Sequence, residues 1–445
     1  MQSTSSSSPS DSAFAFAGAE CDRLGNARKF PPTTPTKGAT TIGEKHRKKT
    51  WRLLRRVKRR RLALLHSMQS QDPDHPHCQT LERHRSWRCC SYAQYGKTAG
   101  IGLRDGKAGV VGVQRCSHVW ACKVCAPGIL FRRQEEIQIA FDVAVENNYT
   151  VVFITLTFPH RRTYTPTDLI FWAENAREIY GKGGGRSRRE KRLGYMGQIV
   201  RHEVTDGPNG IHPHYHILTF FNRELIDEEI NNYFEYLKAK WTQACRQAGL
   251  VDDSNAAAFA AHGFHAERVE VERSDKIAKY MAKMAFSQEM TNAGNNKKSK
   301  KSKRKGRTMW DVLEGFACGD PADTEKWLSY LEAIQGKKAV RWSPGLKRKL
   351  GVDVLEDEQI VEAEEKEQNT RVYDIHNYYQ VVYRGLWYPI MRAVETKNFN
   401  MLSNIAKKYR IGFTSVADGW PDITPWDDIR RPHQIQKSIE QHKIQ

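Results

Sequence analysis

The sequence predicts an α+β fold: a central antiparallel sheet with flanking helices, preceded by a cysteine-rich segment and followed by a mainly helical C-terminal region. Three stretches carry this expectation. Residues 198–205 and 211–218 are strand-like runs on either side of Asp206-Gly207-Pro208-Asn209-Gly210. Consecutive turn formers between two such runs make an antiparallel hairpin. Residues 151–158 are β-branched and aromatic and stop at Pro159, the pattern of a buried strand. Residues 275–284 have helical spacing, with Tyr280 and Lys283 three apart and so on one face.

The hairpin carries the densest chemistry. Side chains alternate between the faces of a strand, so His212, His214 and His216 project to one side and Ile211, Pro213, Tyr215 and Ile217 to the other. Imidazole is a common metal ligand. Three imidazoles on one face of an otherwise apolar strand are costly unless something binds them. Glu203 lies on the partner strand, where a suitable register turns its carboxylate toward His214 and His216. Two imidazoles and one carboxylate on a rigid sheet can hold a divalent ion with positions open to a substrate. The expected ligands are therefore Glu203, His214 and His216, with His212 as a supporting residue that orients its neighbours. Thr155 and Thr157, on the upstream strand, are expected to shape the floor of the sheet.

A second candidate metal centre precedes the sheet. Cys116, Cys122 and Cys125 are spaced as Cys-x5-Cys-x2-Cys and follow the adjacent pair Cys89 and Cys90. Four thiolates at such spacings can close a tetrahedral zinc site. Cys90 is the expected fourth ligand and Cys89 the alternative. Cys21, Cys78, Cys245 and Cys318 have no assigned partners, and His75, His77 and Cys78 form a rival cluster. Nine cysteines without a regular pairing pattern fit a reducing cytoplasm better than a disulfide scaffold.

The charge is uneven. Of a net charge of +20, residues 45–61 supply eleven Lys and Arg and residues 297–307 supply eight, with no acid in either block. Such blocks suit contact with phosphates, which positions DNA without reading its sequence. Lys297, Lys298, Lys300, Lys301, Arg304 and Arg307 are the expected DNA-backbone contacts. Trp51, Leu53, Leu54 and Val57 interleave with the first block, which leaves open an amphipathic helix on a membrane surface or on the nucleoid. No run of eighteen apolar residues occurs, so no transmembrane helix is expected, and the N-terminus lacks the pattern of a signal peptide.

The 445 residues allow two or three domains. Residues 1–44 read as a disordered Ser/Thr/Pro-rich tail and 45–148 as a basic helix with a cysteine-rich, zinc-binding region. Residues 149–290 carry the hairpin and the tyrosine, 291–310 form a basic linker, and 311–445 a helical C-terminal region. Gly181-Lys182-Gly183-Gly184-Gly185-Arg186 reads as a flexible loop and lacks the trailing Lys-Ser/Thr of a phosphate-binding loop.

The order of these segments resembles the HUH endonucleases, and more closely the rolling-circle plasmid replication initiators of the single-tyrosine type. Those initiators carry a Thr-Leu-Thr strand like residues 155–157, a His-Pro-His-aromatic-His strand like 212–216, and a Tyr-x-x-Lys helix like 280–283. Trp342-Ser343-Pro344-Gly345-Leu346-Lys347 is similar to a segment that follows the catalytic region in relatives. Many relatives also carry a Cys-x-x-Cys segment just before the first catalytic strand. The resemblance covers residues 85–350. Conjugative relaxases, whose tyrosine precedes the histidines, fit the order less well.

The resemblance implies a DNA endonuclease and strand transferase. It would nick one strand of origin DNA, held single-stranded at the nick, with Mg2+ or Mn2+ bound by Glu203, His214 and His216. Tyr280 would attack the scissile phosphate in line, leaving a 5′-phosphotyrosine link and a free 3′-OH primer, and the strand would later be rejoined. A tyrosine pKa of about 10 requires a nearby cation, a role for Lys283 one turn away. Structural Zn2+, a host helicase and polymerase, and a bacterial cytoplasm with plasmid DNA complete the implied setting. Relatives place a glutamate four residues before the tyrosine to activate water, whereas this chain has Lys276, and Asp275 is displaced from the Tyr280 face. Termination is left open, with a second protomer's Tyr280, and hence a homodimer, as one route. Three readings compete: a single-tyrosine transposase or phage initiator, a non-catalytic zinc DNA-binding protein, and a small-molecule hydrolase that leaves DNA uncut.

Overall fold

A computed structural model describes residues 37–270, 306–368 and 370–425, and from Lys45 onward the chain is one compact unit. The architecture is α+β. Its strands are β1 (Gly100–Arg104), β2 (Lys107–Val111), β3 (Thr150–Leu156), β4 (Tyr195–Gly207), β5 (Gly210–Phe221), β6 (Phe264–Arg268), β7 (Arg307–Thr308), β8 (Val340–Trp342), β9 (Thr370–His376) and β10 (Gly412–Ser415). They form two antiparallel sheets. One has the order β10-β9-β1-β2, and the other β6-β3-β5-β4-β7 with β8 also on β4.

The larger sheet is covered on both faces. Val152, Ile154, Val200, Tyr215 and Ile217 pack against the helices Pro166–Gly181 and Asp227–Gln247, through Ala173, Tyr180, Tyr233, Leu237 and Trp241. On the other face Val151, Phe153, Ile199, Leu218 and Phe220 meet Ile137, Ala140, Phe141 and Ala144 of the helix Ala126–Glu146. That second face is also the one onto which the even-numbered residues of β5 point, the histidines among them. The segment beginning at Trp342 closes its lower end. There Ser343 exchanges hydrogen bonds with Gln198, and Lys347 pairs with the buried Glu136 at 2.9 Å.

Two expectations are corrected and one is met with an addition. Among the described residues the C-terminal region is mainly helical, as expected, but it also supplies strands: β8 extends the sheet on β4, and β9 and β10 complete the sheet begun by β1 and β2. A two-stranded hairpin has too little surface to be stable by itself, so β1 and β2 need those distant partners. The Gly-rich stretch is not a loop. Gly184–Leu193 is a helix, pinned because Arg186 is buried against Glu190 at 2.7 Å and Tyr233 donates to the same carboxylate. The basic block at 45–61 lies within the helix Lys37–Gln71, whose Trp51, Leu53 and Val57 are buried in the core, with Trp51 stacked on Trp387 at 5.3 Å. Its apolar side faces protein, which removes the membrane-surface option. Among the described residues no helix is long and apolar enough to cross a membrane.

His77 is not part of a metal cluster with Cys78. Its Nδ1 bonds Glu332 at 2.7 Å, tying the helix Pro76–Arg83 to the helix Pro321–Ala333. The Glu332 hydrogen bond raises the His77 pKa above its ordinary 6.5. A raised histidine pKa contributes stability that is complete below the unfolded value and fades as pH rises through the folded one. The expected result is that His77→Gln lowers the melting temperature more at pH 6 than at pH 9. An equal loss at both would show that the link is not ionic.

Candidate active face and metal centre

The register of β4 and β5 pairs Thr205 with His212, Glu203 with His214 and Arg201 with His216, so these six side chains share one face. β3 adds Thr155 beside His216. His216 is held from both sides: its Nδ1 lies 3.1 Å from Thr155 Oγ1, and its Nε2 lies 3.2 Å from Glu203 Oε2. Phe153 stacks on its ring at 5.8 Å. Two donors at right angles on one ion with bonds of about 2.1 Å lie about 3.0 Å apart, so the Glu203–His216 pair fits a shared divalent ion. Thr155 then fixes the ring from behind, as outer partners of metal-ligating histidines do.

His214 shares the face but its ring is tilted by 48° against that of His212, 3.9 Å away, and lies 6.0 Å from that of His216. His160, which follows the proline that ends the strand, stacks on His212 at 4.1 Å and extends the row. Burial, reinforced by the neighbouring imidazoles, holds the pKa of His212 down at about 2 and of His214 at about 3, and burial also lowers that of His160. These rings are neutral at neutral pH, the form that coordinates a metal. Thr157 does not join them; its hydroxyl donates to His262 O at 2.5 Å.

Among the described residues, the donor group that converges at metal spacing is Cys89, Cys116, Cys122 and Cys125, all buried. Sulfur separations are 3.5 Å for Cys122–Cys89, 3.6 Å for Cys89–Cys125 and 3.9 Å for Cys116–Cys125. A tetrahedron with Zn–S bonds of about 2.3 Å has edges of about 3.8 Å, so the four thiols fit a zinc ion. The expected fourth ligand, Cys90, is corrected to Cys89. Cys90 Sγ lies 3.8 Å from Cys89 Sγ but does not converge with the other three sulfurs, and its backbone is left-handed, φ 53°. Its N–H donates to Gln114 O and its carbonyl accepts from Tyr378. Four thiolates around Zn2+ leave a charge of minus two, and two cations stand by to neutralise it. Lys58 donates to Cys89 O at 2.8 Å, and the half-buried Arg115 lies in the field of the same thiols.

The cysteine centre and the polar face share a support. Cys125 immediately precedes the helix Ala126–Glu146, whose positive end favours a thiolate and whose far half underlies the histidine-bearing sheet. Trp120, between Cys116 and Cys122, reaches the edge of β4, where its ring lies 5.5 Å from that of His202 and 6.0 Å beneath the Arg201 guanidinium. Arg201 is 1% exposed, and its Nε and Nη1 have no hydrogen-bond partner. A cavity of about 20 Å³, room for one water, separates Arg201 and Glu203 from Trp120, Tyr330 and residues 308–310. His160, Trp120 and Arg201 carry no spacing signal in the sequence. Pro159 breaks the strand period before His160, and the Arg201–Trp120 contact joins residues far apart in sequence.

Arg307, an expected DNA contact, is held in two ion pairs. Its guanidinium lies 2.5 Å from Asp323 and 3.0 Å from Asp206, fastening β7 to the hairpin. Tyr280, Lys283, Lys276, Lys297, Lys298, Lys300, Lys301 and Arg304 lie outside the described residues. The chain leaves the six-stranded sheet at its β6 edge and re-enters it at β7, the opposite edge.

The chain matches no family model, and no solved structure matches it at a significant level. It is similar to "Protein rep" of Streptomyces lividans, with 26% identity over 308 residues, a stretch that is 56% of this chain and 66% of that protein. The chain thus spans just under two thirds of the length of the curated relative it matches.

Proposed function

We propose that the chain is a replication initiator of the rolling-circle, single-tyrosine HUH type, which nicks one strand of origin DNA. The observation that carries this reading is the hairpin register, which sets Glu203 opposite His214 with His216 hydrogen-bonded to Glu203 on the same face. The similarity to a protein named rep supports it. When bound, Mg2+ or Mn2+ supplies a Lewis acid to a non-bridging oxygen of the scissile phosphate. Glu203 and His216 would hold the ion, Thr155 orients His216, and His214, on the same face, would be the third ligand. Tyr280 attacks phosphorus in line. The tyrosine hydroxyl gives up its proton as its oxygen bonds phosphorus, the bond to the 3′ oxygen breaks and that oxygen takes up a proton in exchange, and the 5′ phosphate stays on the tyrosine with Lys283 as its counter-charge. The cysteine centre holds the helix beneath the face and does no chemistry.

The test is a single-stranded origin oligonucleotide, labelled on the 5′-phosphate side of the nick and incubated with Mn2+. Wild type is expected to form a labelled covalent adduct that survives denaturing electrophoresis, and Tyr280→Phe to form none. An adduct in Tyr280→Phe overturns the tyrosine assignment. No adduct in wild type, with DNA binding retained, favours the zinc DNA-binding reading instead.

A further inference from the structure

We propose that the protein has a second nucleic-acid surface on its smaller sheet, a tyrosine platform that stacks the bases of a single strand. The short helix Tyr378–Arg384 divides its aromatic residues. Tyr378 points inward, donating to Cys90 O at 3.0 Å and accepting from Trp387 at 2.9 Å. Tyr379 and Tyr383 point outward, 65% and 53% exposed, with rings stacked at 5.7 Å and 17°. The Arg384 guanidinium lies over the Tyr383 ring at 5.1 Å. Leaving two large rings in water forgoes their burial, so this pair is not explained by the core.

The ground beside the pair is positive. The helix ends at Gly385, φ +68°, where a β-carbon would collide with the stem of Arg55. Arg55 belongs to the long basic helix, which exposes Arg52 and Arg59 one turn on either side. None of Arg52, Arg55, Arg59 and Arg384 pairs with a carboxylate among the described residues.

Aromatic faces flanked by unpaired arginines fit one ligand chemistry: unpaired bases on the rings and phosphates on the guanidinium groups. A duplex hides its base faces in its own stack, so the tyrosines select a single strand while the arginines accept either form. The partner class rests on the reading of the chain as a DNA-nicking initiator, but the platform is remote in sequence and sheet from the histidine face. It would hold strand already unpaired around the nick.

Fluorescence anisotropy with a labelled oligothymidylate of about 20 nucleotides, and with a duplex of the same length, tests it. The double variant Tyr379→Ala with Tyr383→Ala is expected to lose about tenfold or more of single-strand affinity and less than about twofold of duplex affinity. Tyr379→Phe with Tyr383→Phe, which keeps the ring faces, is expected to retain both. Arg52→Ala with Arg59→Ala should weaken both forms and flatten the salt dependence. Unchanged single-strand binding in the alanine variant, or an equal loss on duplex, overturns the platform while leaving the nicking reading intact. Failure of wild type to bind either form overturns both.

Discussion

Cys89→Ser is expected to strip the metal from the cysteine centre, whereas Cys90→Ser is expected to leave it in place. The two residues are neighbours and equally buried, so burial cannot separate them. Direction does: Cys89 Sγ lies within 3.6 Å of the sulfurs of both Cys122 and Cys125, and Cys90 contributes through its backbone to Gln114 and Tyr378. Structural zinc contributes on the order of 10 kcal/mol to small metal-dependent folds, comparable with the whole stability of a domain. Losing one of four ligands should therefore cost several kcal/mol and lower the melting temperature by 10 °C or more, on the order of 3 °C per kcal/mol. Zinc content per chain, by mass spectrometry, should fall from about one to well below one-half in Cys89→Ser only. Equal zinc in the two variants would remove Cys89 from the ligand set. Cys90 sits at φ 53°, so Cys90→Gly relieves a left-handed backbone but empties a fully buried side-chain site, and the two effects oppose each other.

Glu203→Gln is expected to reduce adduct formation about a thousandfold, or ~4 kcal/mol in barrier height. The substitution keeps the shape of the side chain and its reach to His216, 3.2 Å away, and removes the negative charge that a divalent ion requires. Its thermal stability should stay within about 1 kcal/mol of wild type, since amide and carboxylate both accept from an imidazole N–H. A matched drop in Mn2+ affinity, read by calorimetry, would place the loss in metal binding. Near-wild-type nicking by Glu203→Gln would remove the carboxylate from the site.

The hairpin was legible because two local rules agree. Alternation puts His212, His214 and His216 on one side, and Gly207 and Gly210 close the turn so that Glu203 meets His214. The cysteine spacing indicated a tetrahedral centre, but spacing cannot choose between Cys89 and Cys90, because adjacent residues differ only in direction. His160 escaped notice because Pro159 interrupts the strand, so no period links it to the histidines it stacks against. The Gly-rich stretch misled because propensity was overridden by packing, with Arg186 and Glu190 buried against Tyr180 and Tyr233. Least legible was the pairing of β9 with β1, which depends on no local pattern.

That pairing sets a timetable for synthesis. β1 is complete at residue 104, and β9 does not begin until residue 370. At ribosomal rates of about 5–20 residues per second, the partner strand emerges roughly 13–50 seconds later. Throughout that interval β1 presents an open edge, the kind of surface that recruits other chains. The sheet that opens the chain is therefore the last to close. A nascent chain stalled or cleaved before residue 370 would carry a finished hairpin of histidines above an unfinished β1–β2 ribbon.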